Sequence, residues 1–269
     1  MRYLAPPRGS IDPAAFARLP LAEWQEYAEL LQGEAWPSLE QLAACLPEDA
    51  PQRFVAQTPQ LLAEGLHYEQ RIAQHGAIAT RLGNWHDLFN ALIWLRYPRI
   101  KRALNAQQVA EIAQVGTKQR SRAQCALTHF DEGGVIVGVR DPALLALWDA
   151  HDWHGLFWRE RTAWHDGRIE LALFGHALLE HALTPDKLLV GKALVFTLGP
   201  ASSRQTLLDA CARGIAAAQS LRDPQELRPL PLSGIPGWHP RDGDEDFYRH
   251  GECFQPLRAG RRYPTAWGI

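Results

Sequence analysis

The chain holds one methionine, no cysteines close enough to act as a pair, no long apolar run and almost no net charge. Each absence excludes something. Cys45, Cys125, Cys211 and Cys253 are dispersed and form no C-x-x-C pair, which argues against a thiolate zinc site and against a secreted disulfide framework. No apolar stretch approaches the roughly 20 residues that span a bilayer, so no membrane segment is expected. The start, Met1-Arg2-Tyr3-Leu4-Ala5-Pro6-Pro7, lacks the apolar centre of a secretory signal. A soluble, reducing, cytoplasmic setting is the expectation. A formal net charge of −2 supplies no global field to recruit nucleic acid or anionic membrane.

What is present is an ordinary globular balance, 46% hydrophobic and 22% charged, in 269 residues, enough to bury a sizeable core. Ten tryptophans against the single methionine favour rigid core anchors over adaptable filler, and each buried indole N–H needs an acceptor.

Residues 1–20 are Pro-rich and read as an extended segment, with one globular domain over 21–269. Helical spacing of Leu21, Trp24, Tyr27, Ala28 and Leu31 predicts a helix over 21–32, and Ser38 caps another that ends before Pro47. Further helices are expected over 61–75, stopped at Gly76, over 84–97, capped by Asn84 and ended by Pro98, and over 106–115. A turn at 131–134 leads into a β-branched strand over 135–139, after which Asp141-Pro142 opens a helix. Strands are expected over 169–174 and 188–198, the first leading at Gly175 into a helix. Ser202 or Ser203 then caps a helix over 204–221. From about 222 the chain, rich in Pro, Gly and Arg, reads as an irregular tail. The fold class is therefore α+β, a helix-dominated single domain with a small sheet in its second half.

Polar groups set in apolar sequence must be satisfied and often do chemistry. His176 and Glu180 stand four apart on one predicted helix, a spacing that suits two ligands of one metal or an imidazole held by a carboxylate. The order is H-x-x-x-E-H, which fails the inverzincin pattern. His86-Asp87 resembles, in two letters, the paired ligands of HD-type phosphohydrolases, for which His67 or His75 upstream and Asp131 downstream would complete the set. Asp131 and Glu132, read as a turn, can bind a divalent ion or divide acid and base roles. Arg96, Arg99, Lys101, Arg102, Lys118, Arg120 and Arg122 face one acid, Glu111, over 96–122, a local excess suited to steering phosphate. Each pattern has a structural alternative: a helix cap, a turn or a solvated face. Gly199-Pro200-Ala201-Ser202-Ser203-Arg204 lacks the P-loop lysine, and Asp242-Gly243-Asp244-Glu245-Asp246 lacks the EF-hand glycine and terminal glutamate.

Asn84-Trp85-His86-Asp87-Leu88-Phe89-Asn90-Ala91-Leu92, Phe130-Asp131-Glu132-Gly133, Phe174-Gly175-His176-Ala177-Leu178-Leu179-Glu180 and Pro229-Leu230-Pro231-Leu232-Ser233-Gly234-Ile235-Pro236-Gly237-Trp238 together resemble DUF3025, a bacterial family of unknown function. The resemblance spans about 68–258. It implies a cytoplasmic single-domain protein and supplies no activity, substrate or cofactor.

These readings favour a metal-dependent hydrolase acting on a phosphate-containing substrate, with a small-molecule substrate or ligand as the expected partner. His86, Asp87, His176 and Glu180 would be ligands of a divalent ion, Asp131 or Glu132 a further ligand or base, and Arg120 or Arg122 the phosphate clamp. The rival is a non-catalytic small-molecule or protein-binding module whose His and acid residues form a buried structural network. Nucleic-acid binding is disfavoured by the overall charge.

Overall fold

The computed structural model describes residues 3–116, 119–184 and 186–269. Helices dominate an α+β architecture with two sheets. Asp12 caps a short 3-10 helix, Pro13–Ala17, that seats Phe16 in the core. The helix expected over 21–32 is a 3-10 run, Leu21–Tyr27, that continues into α1 (Ala28–Gln32). Ser38 and Gln41 form a reciprocal capping box on α2 (Leu39–Ala43). Strand β1 (Arg53–Ala56) was not legible from periodicity, being only four residues long.

The helix expected over 61–75 is broken into α3 (Pro59–Ala63) and α4 (Tyr68–His75), with Gly65 at φ 69° between them. Gly76 ends α4 in the left-handed region, where an added Cβ would lie 2.1 Å from the Pro51 carbonyl oxygen. That tight turn lets β2 (Ala77–Thr80) run parallel to β1, Phe54 opposite Ile78.

Asn84 caps α5 (Trp85–Arg96), Pro98 opens α6 (Pro98–Val115), and Ser121 with Gln124 forms a capping box on α7 (Arg122–Gly133). Asp131 and Glu132 thus occupy the last turn of a helix and not a free turn. Ala123, Ala126, Leu127 and Phe130, all buried at three- and four-residue spacing, carry the helix through them.

Strand β3 (Gly134–Val139) follows without a loop and is buried on both faces, so its residues read as a continuous β-branched run. It pairs antiparallel with β4 (Ile169–Leu173) and parallel with β5 (Val190–Thr197). Asp141 caps α8 (Pro142–Asp149) between β3 and β4, α9 (His176–Ala182) follows β4, and Ser203 caps α10 (Arg204–Ala216) after β5. The tail, irregular for most of its length, still adds β6 (Arg228–Pro231) and β7 (Trp267–Gly268) to β5, and Asp244 caps α11 (Glu245–His250). Its Leu230, Leu232, Phe247 and Tyr248 are almost wholly buried, each contributing about 1.5–3 kcal/mol of apolar transfer, which fastens the tail to the core.

Trp85, Trp148, Trp153 and Trp164 donate their indole N–H groups to backbone carbonyls. Trp24 and Trp94 find no acceptor among the described residues. Arg96 and Lys101 lie over their rings instead. No helix among the described residues is long and apolar enough to cross a membrane.

Candidate functional site

The site forms where the start of α5, the end of α7 and the start of α9 meet. The joint depends on small residues. A Cβ on Gly175 would lie 2.5 Å from both Gly133 Cα and Gly134 N, and 2.6 Å from the Glu132 carbonyl oxygen. With no side chain there, the backbones of Phe174 and Gly175 both donate to the Gly134 carbonyl, at 3.0 and 2.8 Å. Phe174 stacks on Phe130 with centroids 5.0 Å apart, locking the end of β4 to α7. His176, the first residue of α9, is thereby pressed against Glu132.

His86 reaches the same point from the first turn of α5, which Asn84 fixes through its bond from Asp87 N. Its Nε2 lies 3.0 Å from His176 Nε2, and Glu132 Oε2 is 3.3 Å from His176 Nε2 and 3.8 Å from His86 Nε2. Two Nε2 atoms at that distance cannot both carry protons. Either one N–H points at the other's lone pair, or both lone pairs face a shared cation. Ligands about 2.0–2.1 Å from a common ion stand roughly 3 Å apart, so the two nitrogens and the Glu132 oxygen have the separations of one face of a coordination shell. Two imidazoles and a carboxylate suit zinc or a first-row metal with open positions.

Glu180, one turn along α9, accepts from His86 Nδ1 at 3.0 Å. This fixes the tautomer that presents the Nε2 lone pair and makes the imidazole more basic, the usual role of a carboxylate behind a metal-binding histidine. The same bond, together with the charges of Glu132, Glu180 and Asp87, holds the His86 pKa above its ordinary value against the opposing effect of burial. Burial disfavours the Glu132 carboxylate, but the His176 bond and the positive charge shared by the histidine pair, with Lys101, outweigh it and hold its pKa below the ordinary carboxylate range.

Two basins flank the cluster. A cleft of about 340 Å³ is lined by polar side chains that include Gln57, Asn90, Gln108, Arg120 and Gln124. A wider hollow of about 880 Å³ adjoins it, walled by Tyr3 to Pro7, Trp36 and Lys187. Arg81, His86 and Glu132 line both.

The residues singled out from sequence separate into those gathered here and those held elsewhere. His86, Glu132, His176 and Glu180 converge. Asp87 turns away, because neighbours on a helix point about 100° apart, and it accepts from Arg81 Nε, Nη2 and backbone N. Asp131 is held by Lys101 Nζ at 2.6 Å, and that ammonium also bonds Asn90 at 2.9 Å. Arg120 lines the cleft, whereas Arg122 pairs with Asp223 on the surface. Arg99 pairs with Asp209 and Arg96 with Glu26, and Lys118 lies outside the described residues. His67 caps α4 through a bond from Glu69 N and lines the cleft, while His75 ends α4 outside the cluster.

Tyr68 and Glu69, which line the cleft, and Lys101, which packs beside them, take roles that no local sequence pattern marks. Lys101 looks like one more surface cation but is 4% exposed. Tyr68 accepts from Asn90 Nδ2. Burial pushes the Glu69 carboxyl up to about 7, although Asn105 donates to it at 2.6 Å.

Residues 52–258 match the model of a family described as a protein of unknown function (DUF3025). No curated protein and no solved structure matches the chain.

Proposed function

The chain belongs to the DUF3025 family, whose function is unknown, and from the geometry of its site we propose a metal-dependent hydrolase acting on a phosphate-containing small molecule. The observation that carries this reading is the convergence of His86 Nε2, His176 Nε2 and Glu132 Oε2 from three separate elements onto one point. His86, Glu132 and His176 would hold a divalent ion, and Glu180 would orient His86. Such an ion supplies a water acidic enough to ionise near neutral pH and a Lewis acid for a phosphoryl oxygen. Arg81, anchored by Asp87, would bind the substrate anion, with Arg120 further along the cleft. Lys101 and Asp131 would brace the end of α7 on which Glu132 stands.

Metal content decides it. Protein purified without chelator and offered zinc, manganese and iron should retain one of them near one equivalent. His86→Ala or His176→Ala should lose the ion while keeping its circular-dichroism spectrum.

One observation favours a second reading. The buried Nδ1 of His176 has no hydrogen-bond partner among the described residues. A metal on Nε2 would place the proton on that unpartnered atom, at a cost of about 1–3 kcal/mol. Without metal, His176 Nε2–H would donate to His86 Nε2, giving a Glu180–His86–His176 chain of hydrogen bonds inside a binding module. Metal-free protein after reconstitution supports that chain and removes the hydrolase.

A further inference from the structure

Two basins meet at the cluster, although His176 lines only the cleft. Arg81, His86 and Glu132 are the three residues that line both. A substrate whose reacting atom lies at the cluster therefore has room for one arm on each side. Their volumes, about 340 and 880 Å³, suit small-molecule arms.

The junction also sets the charge of the reacting centre. Asp87 engages Nε and Nη2 of Arg81, leaving Nη1 with no protein partner among the described residues. Asp87 is 8% exposed and also accepts from the Arg81 backbone, so the guanidinium is anchored on the wall that both basins share. A carboxylate is an anion with one arm, and a phosphomonoester also has one. A phosphodiester keeps a negative charge on the very atom that joins two arms. Resting on the metal-hydrolase reading, we propose that the site takes a small phosphodiester, with its phosphate beside Arg81 Nη1 and the His86–Glu132–His176 face and one ester arm in each basin.

The walls differ in chemistry. The cleft offers the side-chain amides of Gln57, Gln108 and Gln124, which suit a hydroxyl- or amide-rich arm. The hollow offers Trp36, Tyr3 and Lys187, an aromatic and basic wall. Tyr3 is tied there by its hydroxyl bond to the Glu180 carbonyl and by its edge-on contact with His181, so residues 3–7 form part of the site. A polymer is a poorer fit, because Arg96, Arg99, Lys101 and Arg122 are already paired with acids. The reaction consumes one water. Its oxygen bonds to phosphorus, the bond from phosphorus to one ester oxygen breaks, and that oxygen leaves with a proton as an alcohol, giving a phosphomonoester. No oxidant or reductant enters.

The test uses the whole chain loaded with the metal it retains. Calorimetry compares diphenyl phosphate with phenyl phosphate, and colorimetry compares bis(p-nitrophenyl) phosphate with p-nitrophenyl phosphate. Diphenyl phosphate should bind at least ~10-fold more tightly than phenyl phosphate, the diester should be the better substrate, and Arg81→Gln should weaken diester binding ~10-fold or more. Ala177→Phe, which narrows the wider hollow beside the cluster, should bring diester affinity down toward that of the monoester. Equal or tighter binding of phenyl phosphate, or a bound metal with no diester hydrolysis, overturns the diester inference and leaves the metal site standing. Protein that takes up no metal overturns the hydrolase reading and this inference with it.

Discussion

Gly175 lies so close to Gly133 that a Cβ on Gly175 would sit 2.5 Å from the Gly133 Cα. This contact seats the start of α9 on the end of α7 and so brings His176 to Glu132. Gly175→Ala should cost about 1–3 kcal/mol, toward the upper end because backbone surrounds the added methyl. Any folded fraction should bind metal poorly. Gly133→Ala is the control. Its added Cβ would meet only the flexible Lys192 side chain, at 3.6 Å, and urea midpoints close to wild type are expected. Equal losses for the two variants would show that the close approach does not set the site.

Metal retention should separate residues that sequence alone cannot rank. Glu132→Gln should abolish tight binding, because it removes one of the three converging atoms. Glu180→Gln keeps a polar partner for His86 Nδ1 but removes the charge, and affinity should fall about 10–100-fold. Asp87→Asn and Arg122→Gln should retain metal at the wild-type level, since Asp87 serves Arg81 and Arg122 serves Asp223. A chelator should lower the melting temperature of wild type and leave that of His86→Ala unchanged, because a ligand stabilises only the state that binds it. Metal loss in Asp87→Asn matching that in Glu132→Gln would sink this assignment of ligands.

Much of the frame was legible because its signals are local. Ser38, Asn84, Asp141 and Ser203 cap the helices they precede, and the apolar run 135–139 is a buried strand. The pairing of imidazole with carboxylate in apolar sequence pointed to His86, His176 and Glu180. Geometry on a longer scale was not legible. Asp131 and Glu132 are adjacent letters, yet one faces Lys101 and the other the histidines. Glu132 reads as a candidate set on a turn; its helical setting was within reach, since the S-x-x-Q signature at Ser121 and Gln124 announces α7. Lys101 and Glu69 acquire their roles from partners distant in sequence, and Arg81 from Asp87 across the turn between β2 and α5, and no pattern around them says so. The strands β1 and β2 are too short for alternation to register, and a parallel pair has no hairpin turn to mark it.

Lys101 should be costly to remove. Its side chain is 5% exposed and its ammonium bridges Asp131 and Asn90, while the Asp131 side chain is 25% exposed. Lys101→Met fills the space but leaves that carboxylate without its cation. Destabilisation toward the low end of roughly 3–5 kcal/mol is expected, because solvent reaches part of Asp131. Adding Asp131→Asn should recover part of the loss, since the amide no longer brings an unpaired charge. The two substitutions should therefore be non-additive in urea unfolding. Strict additivity would mean that the bond contributes nothing beyond the packing of the lysine stem.

Glu69 should make stability depend on pH in the direction opposite to an ordinary surface carboxylate. Burial is the main cause of its raised pKa, with Asp131 adding to it and Asn105 and Lys101 opposing. In the folded protein the value is about 7, against an ordinary 4.5 for a solvated glutamate. The folded state therefore holds the proton more tightly than the unfolded chain. The contribution is fully present below the unfolded value, and it is lost as the pH rises through the folded one. Each pH unit separating the two values is worth about 1.4 kcal/mol, so the whole interval carries roughly 3 kcal/mol. Glu69→Gln keeps an uncharged acceptor for Asn105 and cannot ionise. Relative to that variant, wild type should lose stability between pH about 4.5 and about 7 in urea titrations and change little further above that range. Taking the difference between the two proteins removes the groups remote from Glu69. Curves that run parallel across the interval would place the Glu69 carboxylate in a site as well solvated as the unfolded chain.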